Sequence, residues 1–75
     1  MFSSSSDLQN SNLSSADLTE VNLRGSDLRG AYLDNADLSG ADLNGVNFEY
    51  AILHITNLKD TKIENVNIEA LTRDQ

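Results

Sequence analysis

A large apolar residue stands at every fifth position of this chain without a gap: Leu8, Leu13, Leu18, Leu23, Leu28, Leu33, Leu38, Leu43, Phe48, Leu53, Leu58, Ile63 and Ile68. Two residues ahead of each centre is a small one, never larger than valine: Ser6, Ser11, Ala16, Val21, Ser26, Ala31, Ala36, Ala41, Val46, Ala51, Thr56, Thr61 and Val66. The residue between them is Asp or Asn in ten of the thirteen units, the exceptions being Tyr32, Ile52 and Lys62. The two positions after each centre are polar, glycine or variable.

Neither regular element accommodates that period. In a helix, five steps of about 100° rotate each centre roughly 140° from the last, so the leucines scatter around the cylinder. In a flat strand side chains alternate faces, and an odd spacing sends successive leucines to opposite sides. What satisfies the pattern is a chain that bends once per unit, keeping every centre inward while Asp, Asn, Ser and Gly supply the turns. Such a chain is a solenoid.

Composition narrows the function. Seventy-five residues make one small domain, which is marginal as an ordinary globule. The absence of cysteine excludes disulfides and thiolate metal sites. No apolar run has the length of a signal-peptide core or a membrane span, so the expectation is a soluble cytoplasmic protein that does not enter a membrane. Twelve acidic residues against five basic ones argue against direct nucleic-acid binding, because phosphate contacts need lysine and arginine. The acidity suits solubility or attraction of a basic partner.

The written unit, as in Ala36-Asp37-Leu38-Ser39-Gly40 followed by Ala41-Asp42-Leu43-Asn44-Gly45, resembles the A-(D/N)-L-x-x unit of the pentapeptide-repeat family across residues 6–70. The resemblance implies an all-β fold: a right-handed, quadrilateral parallel β-helix with four units per coil and a little over three coils. The centre and the small residue two before it would point inward. Period five alone leaves the number of sides open. The chain then divides into a lead over 1–5, the β-helix over 6–70 and a tail over 71–75. Phe2 is either a plug on the first coil or part of a frayed terminus. At the other end Leu71 fits the small inward position poorly and Arg73 stands where a leucine should be. The last coil, with Leu58, Ile63 and Ile68, is then expected to be open, and end-to-end homodimerisation would cover it.

With twenty residues per coil, residues twenty apart stack in columns. Tyr32 then lies beside Ile52, with Tyr50 at the leading corner of that face and Ile55 at the trailing corner. This apolar cluster outside the core is the expected partner or dimer contact, a stiffening ladder being the alternative. Asp7 with Asp27, and Asp17 with Asp37, share columns. Their expected role is turn shaping, since two carboxylates fall short of the oxygens a calcium ion takes. Asp42 is expected to stack with Lys62, and Arg29 to lie beside Glu49. Ser14, Asp34 and His54 also fall in one column, but a nucleophilic triad needs the histidine against the serine, and here Asp34 sits between them. No catalytic, metal-binding or cofactor-binding residue is therefore expected.

The functional expectation is a non-catalytic scaffold presenting a rigid acidic surface to another protein, or to a second copy. The alternative that the family suggests is mimicry of DNA toward an enzyme such as DNA gyrase. Size opposes it, for about three coils at ~4.8 Å reach only ~15 Å, or about four to five base pairs. Arg24, Arg29, Lys59 and Lys62 also interrupt the negative field. Outward threonines are limited to Thr19 and Thr72, too few for the regular array of an ice-binding surface.

Overall fold

The structure is a computed structural model that describes residues 4–67. Its strand segments pair with the chain one coil away. Parallel bridges join Asp7 to Asp27, Asn12 to Tyr32, Asp17 to Asp37, Asn22 to Asp42, Asp27 to Asn47, Tyr32 to Ile52, Asp37 to Asn57 and Asp42 to Lys62. Each pair is twenty residues apart, so a coil holds four units and has four sides.

The unit around Leu28 shows how the backbone is satisfied. Leu28 N–H donates to the Asn47 carbonyl at 2.9 Å, Gly30 N–H to Glu49 at 2.9 Å, and Asp27 N–H back to Ser6 at 2.9 Å. The Leu28 carbonyl then accepts Ala31 N–H at 3.0 Å and closes the corner. The remaining N–H, that of Arg29, goes to a side chain: Asp27 Oδ1 accepts it at 3.2 Å. The same bond recurs from Gln9 to Asp7, Ser14 to Asn12, Thr19 to Asp17, Arg24 to Asn22, Ser39 to Asp37, Asn44 to Asp42, Glu49 to Asn47 and Lys59 to Asn57. The recurring Asp or Asn is thus a turn-shaping acceptor, the role expected for it. Where Tyr32 and Ile52 replace it, no carboxylate or amide oxygen stands in that place.

Each corner also holds its fifth residue at positive φ, as at the third position of a type II turn. Glycine does this without steric cost at Gly25, Gly30, Gly40 and Gly45, with φ between 66° and 73°. Asn10, Asn35, Asp60 and Asn65 are residues that tolerate the left-handed region. Tyr50 at 62° and Ile55 at 57° are not, and a β-branched residue there is strained.

The inward positions form one core. Leu18, Leu23, Leu28, Leu33, Leu38, Leu43, Phe48 and Leu53 are buried, packed with Val21, Ala31, Ala36, Ala41, Val46 and Ala51. Leu8, Leu13, Leu58 and Ile63, toward the two ends of the described stack, are partly buried. Polar residues at small inward positions are satisfied. Thr56 Oγ1 donates to the Leu33 carbonyl at 2.8 Å, and Ser26 Oγ accepts Ser6 N–H at 3.1 Å. The described chain measures 24 × 22 × 20 Å, a stub rather than a rod. Phe2, Ile68, Leu71, Thr72 and Arg73 lie outside the described residues.

Candidate interaction surfaces

The four-sided coil sorts the outward side chains into four faces, named here by their columns. The first carries Asp7, Asp27 and Asn47; the second Asn12, Tyr32 and Ile52; the third Asp17, Asp37 and Asn57; the fourth Asn22, Asp42 and Lys62. The corner between the first and second faces holds Arg29, Gly30, Glu49 and Tyr50, and the corner between the second and third holds Asp34, Asn35, His54 and Ile55.

The second face is apolar. Tyr32 is 52% and Ile52 44% exposed, side by side across a parallel bridge. Tyr50 at the leading corner is 74% exposed and Ile55 at the trailing corner 64%. These four are the exposed large hydrophobics among the described residues, so the structure brings together the cluster expected from the sequence.

The third face is acidic, and its carboxylates are held in place. Asp17 Oδ1 accepts both the N–H and the hydroxyl of Thr19, at 3.1 and 2.8 Å, and the hydroxyl bond in particular holds its pKa below the ordinary value. Asp37 Oδ1 accepts the N–H and hydroxyl of Ser39 at 3.0 and 2.7 Å. In both, one carboxylate oxygen is fixed by the turn and the other is left for solvent or a partner. A shallow open groove at the corner with the fourth face, lined by Thr19, Glu20, Ser39, Gly40 and Asp60, continues the negative surface, with Lys59 at its edge.

Arg29 feels the charge of Glu49 and Asp42 stacks with Lys62, as expected, but the direct ion pairs form elsewhere. Arg29 does not pair with Glu49 in the next coil; it grips Asp27 of its own unit, Nε to Oδ1 at 2.9 Å and Nη2 to Oδ2 at 2.6 Å. The two-residue step brings guanidinium and carboxylate into bidentate geometry along the chain, and this contact lowers the Asp27 pKa and raises that of Arg29. Asp42 does stand beside Lys62 in the ladder, but its charged partner is Arg24, Nη1 to Oδ2 at 3.3 Å. Both pairs are exposed and individually weak.

In the Ser14, Asp34 and His54 column, the Ser14 hydroxyl donates to Asp34 Oδ1 at 2.6 Å. The serine therefore bonds the middle carboxylate and not the histidine that would act as general base, which is the wrong order for a nucleophilic triad. Among the described residues no group of three or more His, Cys, Asp or Glu is placed to hold a metal ion.

These features define a class: a repeat protein folded as a right-handed quadrilateral β-helix. The chain belongs to the pentapeptide-repeat family, whose model, Pentapeptide repeats (8 copies), matches residues 4–34 and 31–69. A solved relative is a pentapeptide repeat protein, Rfr23, from the cyanobacterium Cyanothece 51142, similar with a TM-score of 0.82 and 31% identity over 84% of this chain. The chain spans 44% of that protein's length. No curated protein matches the sequence significantly.

Proposed function

We propose that this protein is a non-catalytic interaction scaffold that presents its acidic third face, with the adjoining corner, to a basic protein surface. The observation that carries the reading is the fixing of Asp17 and Asp37 by Thr19 and Ser39 on one column. The Thr19 and Ser39 hydroxyls hold these two carboxylates on neighbouring coils of one face, so their negative charge is presented in a fixed arrangement. Carboxylates ordered before binding reduce the entropy a partner's lysines or arginines must remove, and so favour affinity and orientation. The cytoplasm is the compartment this reading assumes. DNA mimicry is the weaker reading, because the acidic surface occupies a body 24 Å in its longest dimension and includes Arg24, Arg29, Lys59 and Lys62.

The test compares proteins captured by the wild type with those captured by an Asp17→Lys/Asp37→Lys variant of unchanged circular dichroism. A defined set lost with the variant and eluted by moderate salt supports the reading. Capture that is identical for both chains refutes it. Competition with DNA for immobilised gyrase would instead favour mimicry.

A further inference from the structure

We infer that the second face joins two copies of this chain side by side, related by a two-fold axis that runs along the coil axis. This goes beyond the acidic-scaffold reading, since a dimer built on the second face leaves the third and fourth faces open on both copies.

Three observations converge. The first is area: the exposed fractions of Tyr32, Tyr50, Ile52 and Ile55 amount to roughly 500 Å² at about 200 Å² per fully exposed side chain. That is the apolar centre of an interface whose standard size is about 800 Å² per partner, the polar rim supplying the rest. The second is strain. Tyr50 and Ile55 are the large apolar residues at left-handed corners that glycine, asparagine, aspartate, serine or glutamate occupy elsewhere among the described residues, yet they are 74% and 64% exposed and recover little packing within the chain. Both strained apolar corners flank the same face.

The third is self-complementarity. A two-fold axis along the coil direction sets the leading corner of one copy against the trailing corner of the other at the same height. Arg29 then meets Asp34 of the second copy, Glu49 meets its His54, and Tyr50 meets its Ile55, while Tyr32 and Ile52 meet their own equivalents. A two-fold axis across the coils also opposes unlike rim groups, Arg29 with Glu49 and Asp34 with His54. It places Tyr50 against Gly30 and Ile55 against Asn35, however, and wastes both apolar corners. Of the described carboxylates only Asp34 and Glu49 border this face, so most of the charge of −7 lies away from the contact. Arg29 keeps donors for a second carboxylate while holding Asp27.

Light scattering of the full chain across ~1–200 μM gives the mass. The expected result is a concentration-dependent rise toward twice the chain mass of 8.2 kDa, with Ile52→Lys and Tyr50→Lys each remaining at the single-chain mass. Circular dichroism of the variants at the same concentrations separates lost association from lost folding. Arg29→Glu should weaken association at least tenfold, and adding Asp34→Arg should restore it. A wild type that stays at the single-chain mass throughout, or a dimer that survives Ile52→Lys and Tyr50→Lys, overturns the inference and leaves the acidic-face reading standing. Rescue of Arg29→Glu by Glu49→Arg rather than by Asp34→Arg would overturn the axis along the coil.

Discussion

Asn10 leans over Gly30: its side-chain oxygen occupies the space that a Cβ on Gly30 would enter, and Gly30 itself sits at φ +70°. A Cβ at the middle member of the corner column of residues 10, 30 and 50 therefore meets two separate obstacles, a left-handed backbone and a side chain that must move aside. At Gly45 only the backbone obstacle applies, because an added Cβ would lie 3.6 Å from Gly25 Cα, an ordinary contact. Gly30→Ala is expected to destabilise by about 1–3 kcal/mol and Gly45→Ala by about 1 kcal/mol. Replacing Asn10 with glycine should bring the two losses together. Thermal unfolding of the single and double variants measures this, and equal losses in the wild-type background would show that the Asn10 contact has no effect on stability.

Ile55 should show opposite effects on folding and on association. At φ 57° an asparagine is tolerated better than a β-branched side chain, so Ile55→Asn is expected to stabilise the single chain by about 0.5–1 kcal/mol. The same change removes an apolar corner from the second face and should weaken association. Denaturant unfolding at low protein concentration checks the first effect; a loss of stability there would mean that Ile55 packs within its own chain.

Acid should weaken the fold in a predictable window. The carboxyls of Asp17 and Asp27 are held below their ordinary value of 3.8, chiefly by the Thr19 hydroxyl and the Arg29 guanidinium respectively. A depressed folded-state pKa contributes stability that is present above the unfolded value and lost as pH falls through the folded one. The melting temperature should therefore hardly change between pH 7 and 5 on account of these groups, and should fall below about pH 4. Asp27→Asn keeps the oxygen that accepts Arg29 N–H and removes the titration, so its acid decline should be shallower. An unchanged slope in that variant would contradict the assignment.

The core should be graded along the stack. Leu33, fully buried with coils on both sides, is expected to cost about 2–5 kcal/mol on truncation to alanine. Leu13, partly buried in the first coil, should cost about half as much. Similar losses at both positions, measured by denaturant unfolding, would mean that the first coil is covered as thoroughly as the second.

Much of this was legible in the sequence. The inward roles of Leu33 and Ala31 follow from period five, and the adjacency of Tyr32 and Ile52 follows once a twenty-residue coil is granted. The coil size itself came from the family resemblance, because a period of five leaves the number of sides open. The ion pairs were not legible. Columns point Arg29 toward Glu49, but a long side chain also reaches two residues along its own turn, and there Asp27 offers two oxygens in fork geometry. The strain at Tyr50 and Ile55 was missed although a signal existed. Gly25, Gly30, Gly40 and Gly45 share one register with Asn10, Asn35 and Asn65, which marks that position as left-handed wherever it recurs.

Every surface described here depends on residues twenty apart being neighbours, and paired cysteines test that most directly. Adjacent parallel strands lie about 4.8 Å apart, within the roughly 4.4–6.8 Å Cα separation a disulfide spans. Asp17→Cys/Asp37→Cys should close an intramolecular disulfide rapidly under mild oxidation, while Asn22→Cys/Asp37→Cys and Asn12→Cys/Asp37→Cys, fifteen and twenty-five residues apart, should keep free thiols. Closure of either of the latter in place of the first would mean a three- or five-sided coil, and the columns, the second face and the dimer drawn from them would all be wrong.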